Sequence, residues 1–256
     1  MILFNTRGQS LTIWVVIAIA LVGAMILFFS IENGPSISGG QDKEFSPGRF
    51  VDNCANRAVE ETVDEMLPHG GFLDDSNAIN YNGINVSYLC LNKGNYEPCI
   101  SQHPVYVNDL KKEIIRNVEG KIQGCFDNLR KEVEARNGNL ELGVMELNVD
   151  FATNRIFLTI DRITVIEKQD NTERFEEFKI EIVNPLYNFA RIAMIISNEE
   201  AKRCYFEYVG YNVLHPETDI EKTTLDDGTR IYSIKQRQTD KEMQIAIRGC
   251  VIPAGF

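Results

Sequence analysis

The stretch NDLKKEIIRNVEGKIQGCFDNLRKEVEAR (residues 108–136) is followed by LELGVMELNVDF (140–151) and IFLTIDRITV (156–165). The hydrophobic period changes once across these segments, and that change decides the fold. In the first, Leu110, Ile114, Val118, Ile122, Cys125, Leu129 and Val133 recur every three or four residues, which predicts an amphipathic helix. Asn137-Gly138 stops it. Gly120 and Gly124 weaken its interior by about 1 kcal/mol each relative to Ala, although their spacing would admit a close helix crossing. From residue 140 the period is two. Apolar residues change parity between Val144 and Leu147, which predicts a β-bulge. Ile156, Leu158 and Ile160 share one face of a second strand, and Phe178, Ile180 and Ile182 mark a third. The connections at 152–155 and 169–173 are short, so the three strands form an antiparallel meander.

Toward the N-terminus, Asn82-Gly83 within residues 80–90 is a hairpin turn of the type that demands positive φ. Before it, Ser46-Pro47 caps and opens a helix. Phe50, Cys54, Ala58 and Thr62 form its apolar stripe, widened by Val51, Ala55, Val59, Val63 and Met66. Pro68 ends it, and Gly70-Gly71 follow. Toward the C-terminus, Pro185 opens a helix expected to run to about Tyr208. Its apolar residues surround it almost completely, which predicts burial in the head. A last hairpin is expected at 229–235 and 243–251, after Asp226-Asp227-Gly228. The resulting class is α+β, with helices packed on one or two antiparallel sheets over residues 46–256. A division into lobes at 46–184 and 185–256 is the alternative arrangement.

Ahead of this head the chain has a different character. Residues 11–31, LTIWVVIAIALVGAMILFFSI, contain no Asp, Glu, Lys or Arg. At about 1.5 Å rise per residue they match the hydrocarbon thickness of a bilayer. Arg7 is the single charge before them, so positive-inside orientation places the head outside. Residues 1–31 are thus read as a cytoplasmic leader and transmembrane helix. Residues 32–45, with Gly34-Pro35 and Gly39-Gly40, are read as a flexible linker. Val22-Gly23-Ala24 offers a secretory cleavage site, but the MILFF that follows is unlike a mature N-terminus.

Charge and cysteine agree with an outside address. The formal net charge is −11, and with Arg7 left in the leader the head is one unit more negative. Nucleic-acid binding rests on phosphate neutralisation, so an acidic head excludes it as a partner. All six Cys lie in the head. An even count outside the membrane points to disulfides, with fifteen pairings open in principle. Cys90 with Cys99 would close a local loop. Cys54 and Cys125 sit on apolar helix faces and would staple two helices, which leaves Cys204 with Cys250.

Signals for chemistry are sparse. His69, His103 and His215 have no His or Cys at metal-ligand spacing, so no metal is expected. No glycine-rich phosphate loop is present, and no cofactor is expected. His69-Gly70-Gly71 lacks the Gly-x-Ser-x-Gly elbow that an esterase would add, and reads as a helix-ending turn. Asp226-Asp227-Gly228 lacks the alternating ligands of a calcium loop. The carboxylate runs Glu60-Glu61, Asp64-Glu65 and Glu176-Glu177 read as solvated faces. Asn85-Val86-Ser87 is a sequon, which makes Asn85 a glycosylation candidate.

Thr6-Arg7-Gly8-Gln9-Ser10-Leu11 resembles the class III signal of archaeal type IV pilin-like proteins: a basic residue, Gly, then Gln directly before the apolar run. The resemblance implies processing between Gly8 and Gln9 and retention of the apolar helix. It extends from Arg7 to about Phe29. It departs from many pilins at the fifth mature position, where Ile13 stands in place of Glu. The early Cys-bearing helix running into Gly70-Gly71-Phe72 is similar to single-anchor archaeal envelope proteins of unassigned activity. The expectation is a single-pass cell-membrane protein with an extracytoplasmic, non-enzymatic head that binds a protein partner or joins an envelope assembly. A pilin-like filament subunit that self-assembles is the alternative, and an extracytoplasmic hydrolase is a third reading.

Overall fold

The computed structural model describes residues 45–94, 97–168 and 171–250. The leader, the apolar stretch, the processing positions Gly8 and Gln9, and the linker up to residue 44 lie outside them. Among the described residues no helix is long and apolar enough to cross a membrane. The residues from Ser46 onward form one compact unit.

Helix α1, Pro47–Met66, begins where Ser46 Oγ accepts from Arg49 N at 3.5 Å, with Pro in the first turn. Its buried face centres on Val51, Ala55, Val59 and Val63, all fully buried. Phe50 and Cys54 sit at the margin of that face. A short 3-10 turn, Leu67–His69, follows and ends at Gly70 with φ 75°. Gly71, at φ 91°, admits no side chain, because a Cβ there would lie 2.2 Å from Leu110 Cδ2. Strands β1, Ala78–Tyr81, and β2, Ile84–Leu91, pair antiparallel. Asn82 and Gly83 both have positive φ, 53° and 86°, as the tight hairpin turn requires. The short β3, Ile100–Ser101, pairs with β2.

Helix α2, Tyr106–Glu134, buries Leu110, Ile114, Val118, Ile122, Cys125, Leu129 and Val133, the residues whose spacing predicts it. Nothing lies within 4 Å of a Cβ built on Gly120 or Gly124, so their spacing marks no close helix crossing. The region 140–151 forms two strands, β4, Gly138–Leu142, and β5, Glu146–Ala152. They run end to end along β6, Arg155–Lys168, while β7, Asn171–Val183, takes its other edge. The parity change thus corresponds to the break at residues 143–145. Gly143 N still donates to Ile163 O at 2.8 Å there. Arg162 fills the irregularity, donating to Gly143 O and lying 4.6 Å over the Phe126 ring. Ile156, Leu158 and Ile160 are fully buried, contributing about 1.5–3 kcal/mol each. α1 packs on α2 and β7.

Helix α3, Leu186–Arg203, touches β2 and β10 of one sheet and β6 of the other. Two expectations about it are corrected. It stops at Arg203 rather than near Tyr208, because Cys204 adopts φ 58° and is bonded to Cys250. It is also not buried all round: Ile195 is 42% exposed. A separate helix α4, Tyr208–Leu214, follows. Then β8, Thr218–Thr224, β9, Arg230–Gln236, and β10, Glu242–Arg248, form a second meander.

β10 also pairs with β2, in parallel, giving the sheet order β1-β2-β10-β9-β8. This corrects the all-antiparallel expectation. A parallel pair needs a long crossover, and the residues between β2 and β10 supply it. The shared sheet also bridges the possible division near residue 184. Glu200 is fully buried and accepts from Tyr232 OH and Arg230, while Arg230 also donates to Cys204 O at 2.7 Å. Burial first, and Glu200 second, push the Tyr232 phenol well above its ordinary range.

Disulfides join Cys54 to Cys125, Cys90 to Cys99 and Cys204 to Cys250, with Cα separations of 5.9, 5.3 and 5.3 Å. No free thiol is found among the described residues. The first staples α1 to α2, and the second closes the loop after β2.

Candidate functional site

Two places gather polar or apolar groups in ways that secondary structure alone does not require. The first surrounds His103. Its Nε2 lies 3.1 Å from Asp75 Oδ2 and its Nδ1 lies 3.9 Å from Asp109 Oδ2. The imidazole stacks on Phe72 with ring centroids 4.0 Å apart. Burial alone would raise the Asp75 pKa. The hydrogen bonds from His103 and Asn77 N outweigh it and hold the carboxyl below its ordinary 3.8.

Glu113 accepts from Leu73 N on the same loop at 3.3 Å. Tyr106 OH donates to Gly70 O at 2.8 Å. These contacts tie the segment after α1 to the start of α2. No Ser or Thr hydroxyl bonds to His103 among the described residues, and both imidazole nitrogens face carboxylates. This geometry clamps a loop. His103 itself lines a small cavity of about 100 Å³, together with Leu89, Ser101, Tyr106 and Met194 among others.

The second place is the surface around α4. None of its seven residues is buried. Val209, Val213 and Leu214 are 56%, 76% and 77% exposed, and neighbouring Tyr205 is also exposed. Monomeric soluble surfaces rarely gather apolar side chains this way without a use. Glu207 caps α4 by accepting from Gly210 N at 3.2 Å. Asn212 ties it to β8 through Ile220 N and O, at 2.9 and 3.0 Å. Lys222 Nζ lies 4.8 and 5.0 Å from the Tyr205 and Tyr208 rings.

Alongside runs a half-open cleft of about 270 Å³, lined by Phe189, Arg191, Ile195, Tyr211, His215 and Gln236 among others. Tyr211 and His215 stack at 4.2 Å, and His215 Nδ1 lies 3.6 Å from Glu217 Oε1. Burial is the leading reason the Tyr211 phenol is raised above its usual range. The cleft mixes apolar and polar lining groups, a composition suited to gripping a side chain.

The other residues singled out in the sequence lie apart. His69 Nδ1 contacts Asn85 O at 2.8 Å inside the 3-10 turn. Asp227 accepts from Thr229 N and Oγ1 in the β8–β9 turn. Asp64 and Glu60 face Lys241, while Glu176 and Glu177, adjacent in β7, are both exposed. Among the described residues no group of three His, Cys, Asp or Glu is placed to hold a metal. Asn85 is exposed. Sequence reasoning missed α4 and Asp75. The valines of α4 sit in a segment too short to show a helical period, and Asp75 meets His103 only through the fold.

No protein-family model matches the chain, no curated protein matches its sequence, and no solved structure matches its fold.

Proposed function

We propose that this chain is a single-pass cell-membrane protein whose extracytoplasmic, non-enzymatic head binds a protein partner through the α4 surface. The observation that carries the reading is the exposure of Val209, Val213 and Leu214 beside the cleft. Three disulfides support an oxidising location. The 21-residue apolar stretch with Arg7 before it supports the anchor and its orientation.

The test uses the full chain in its native membrane. Protease added outside should digest the head, and a photo-crosslinker at Val213 should form a protein adduct. The same probe at Val144, 85% exposed in the break between β4 and β5, should form none. A head protected from outside protease overturns the placement. An exposed head with equal adducts at both positions, or with none, overturns the binding surface.

A second reading rests on Arg7-Gly8-Gln9: a pilin-like filament subunit processed after Gly8. Sequencing the mature N-terminus separates the two. A start at Gln9 favours the filament subunit, and a start at Met1 favours the tethered head.

A further inference from the structure

The fold divides the Asn85-Val86-Ser87 triplet. Asn85 is exposed just after the hairpin turn. Its Oδ1 accepts from Asn80 Nδ2 at 3.1 Å, and among the described residues no group accepts from its own Nδ2, the atom that would carry a glycan. Ser87, two residues on, is fully buried. It is in register with Ala78 of β1, while the adjacent Tyr88 is in register with Ala246 of β10, so strands flank it on both sides. The turn after α1 covers it as well: a Cβ on Gly70 would lie 3.3 Å from Ser87 Cβ.

A sequon is defined by its third residue as much as by its Asn. The transferring enzyme must therefore reach the Ser87 hydroxyl at the moment of transfer. In the folded head that hydroxyl is buried on the sheet face that the Gly70 turn covers. Reaching it requires lifting that turn off the sheet, an opening of packed structure rather than fraying of a terminus.

We propose that Asn85 is a glycan acceptor that is used only while the chain is unfolded, as it emerges on the outer side of the membrane, and that folding then closes the triplet. This rests on the extracytoplasmic placement proposed above. In the transfer, Asn85 Nδ2 bonds to the anomeric carbon of a lipid-linked oligosaccharide. The bond from that carbon to the carrier phosphate oxygen breaks, the lipid phosphate leaves with the electron pair, and one amide proton passes to the enzyme's base. The finished glycan projects from an exposed position and needs no rearrangement of the sheet.

The experiment synthesises the full chain with glycosylation-competent microsomes and reads protease protection and the mass of the Asn85 peptide separately. The protected chain should carry a glycan that Asn85→Gln removes. This exposed substitution should leave the three disulfides intact. Unglycosylated full chain is then offered to detergent-solubilised microsomal transferase with lipid-linked oligosaccharide, either folded and oxidised or reduced and denatured. The denatured chain should be modified at least about tenfold faster, reflecting the rarity of such opening in the folded state. Equal modification of the folded chain overturns the proposal, as does a protected chain without glycan at Asn85. A chain left unprotected overturns the placement itself and is distinguished by the protease readout.

Discussion

Asp75 is a single carboxylate whose environment does measurable work. Burial disfavours its ionised form, yet the contacts with His103 and Asn77 N more than offset this and lower its pKa. A depressed carboxyl stabilises the fold at any pH above the unfolded value, and that contribution disappears as pH falls through the folded value. Asp75→Asn should therefore lower the urea midpoint at pH 7. The gap between variant and parent should begin to shrink below about pH 4, where the unfolded chain's carboxyl takes up a proton, and close as pH falls through the lower folded value. Unfolding curves at pH 7 and pH 3 check this, and an unchanged gap would contradict it. The same loop shows how residue chemistry limits the chain's options. Gly71 combines positive φ with contact against a fully buried leucine, so the close approach of loop and helix depends on a missing Cβ.

At the scale of elements, α2 carries a removable weakness. Gly120 is exposed and Gly124 half-buried, and space around both is open. Glycine in a helix interior costs about 0.8–1 kcal/mol relative to alanine. Gly120→Ala should therefore raise stability by about 0.5–1 kcal/mol, read as a higher thermal midpoint. Destabilisation would mean that the helix needs flexibility there. α3 shows the opposite relation between pattern and outcome. Its nearly continuous apolar surface predicts burial on all sides, but the helix lies with Ile195 toward the cleft beside α4. Part of that apolar surface thus belongs to the candidate binding face instead of the core.

At the scale of the whole molecule, the disulfides and the mixed sheet hold distant segments together. Cys54 and Cys125 are 71 residues apart, whereas Cys90 and Cys99 are nine apart. Loop-closure entropy makes the longer link worth about 4 kcal/mol and the shorter about 2.5 kcal/mol. Replacing both Cys54 and Cys125 by Ser should lower the denaturant midpoint more than replacing Cys90 and Cys99, and the reverse order would contradict the entropic account. β2 and β10 do noncovalently what the bridges do covalently, since their parallel pairing joins the beginning of the head to its end.

The features legible without the fold are those written by neighbours in the chain. The Ser46 cap, the Asn82-Gly83 turn, the α2 stripe, the parity break near Val144 and the β5–β6–β7 meander follow from local periodicity and turn chemistry, which act over a few residues. The apolar stretch at 11–31 and the even cysteine count are equally local to composition. Other features depended on tertiary structure. β8 contains only one strongly apolar residue, Ile220, so its pattern is silent until β9 pairs with it. The parallel β2–β10 contact, the Glu200–Arg230–Tyr232 network, the Asp75–His103 clamp and the closure over Ser87 all join residues far apart in sequence. Such pairings are chosen by which surfaces bury one another, and no local period encodes that choice.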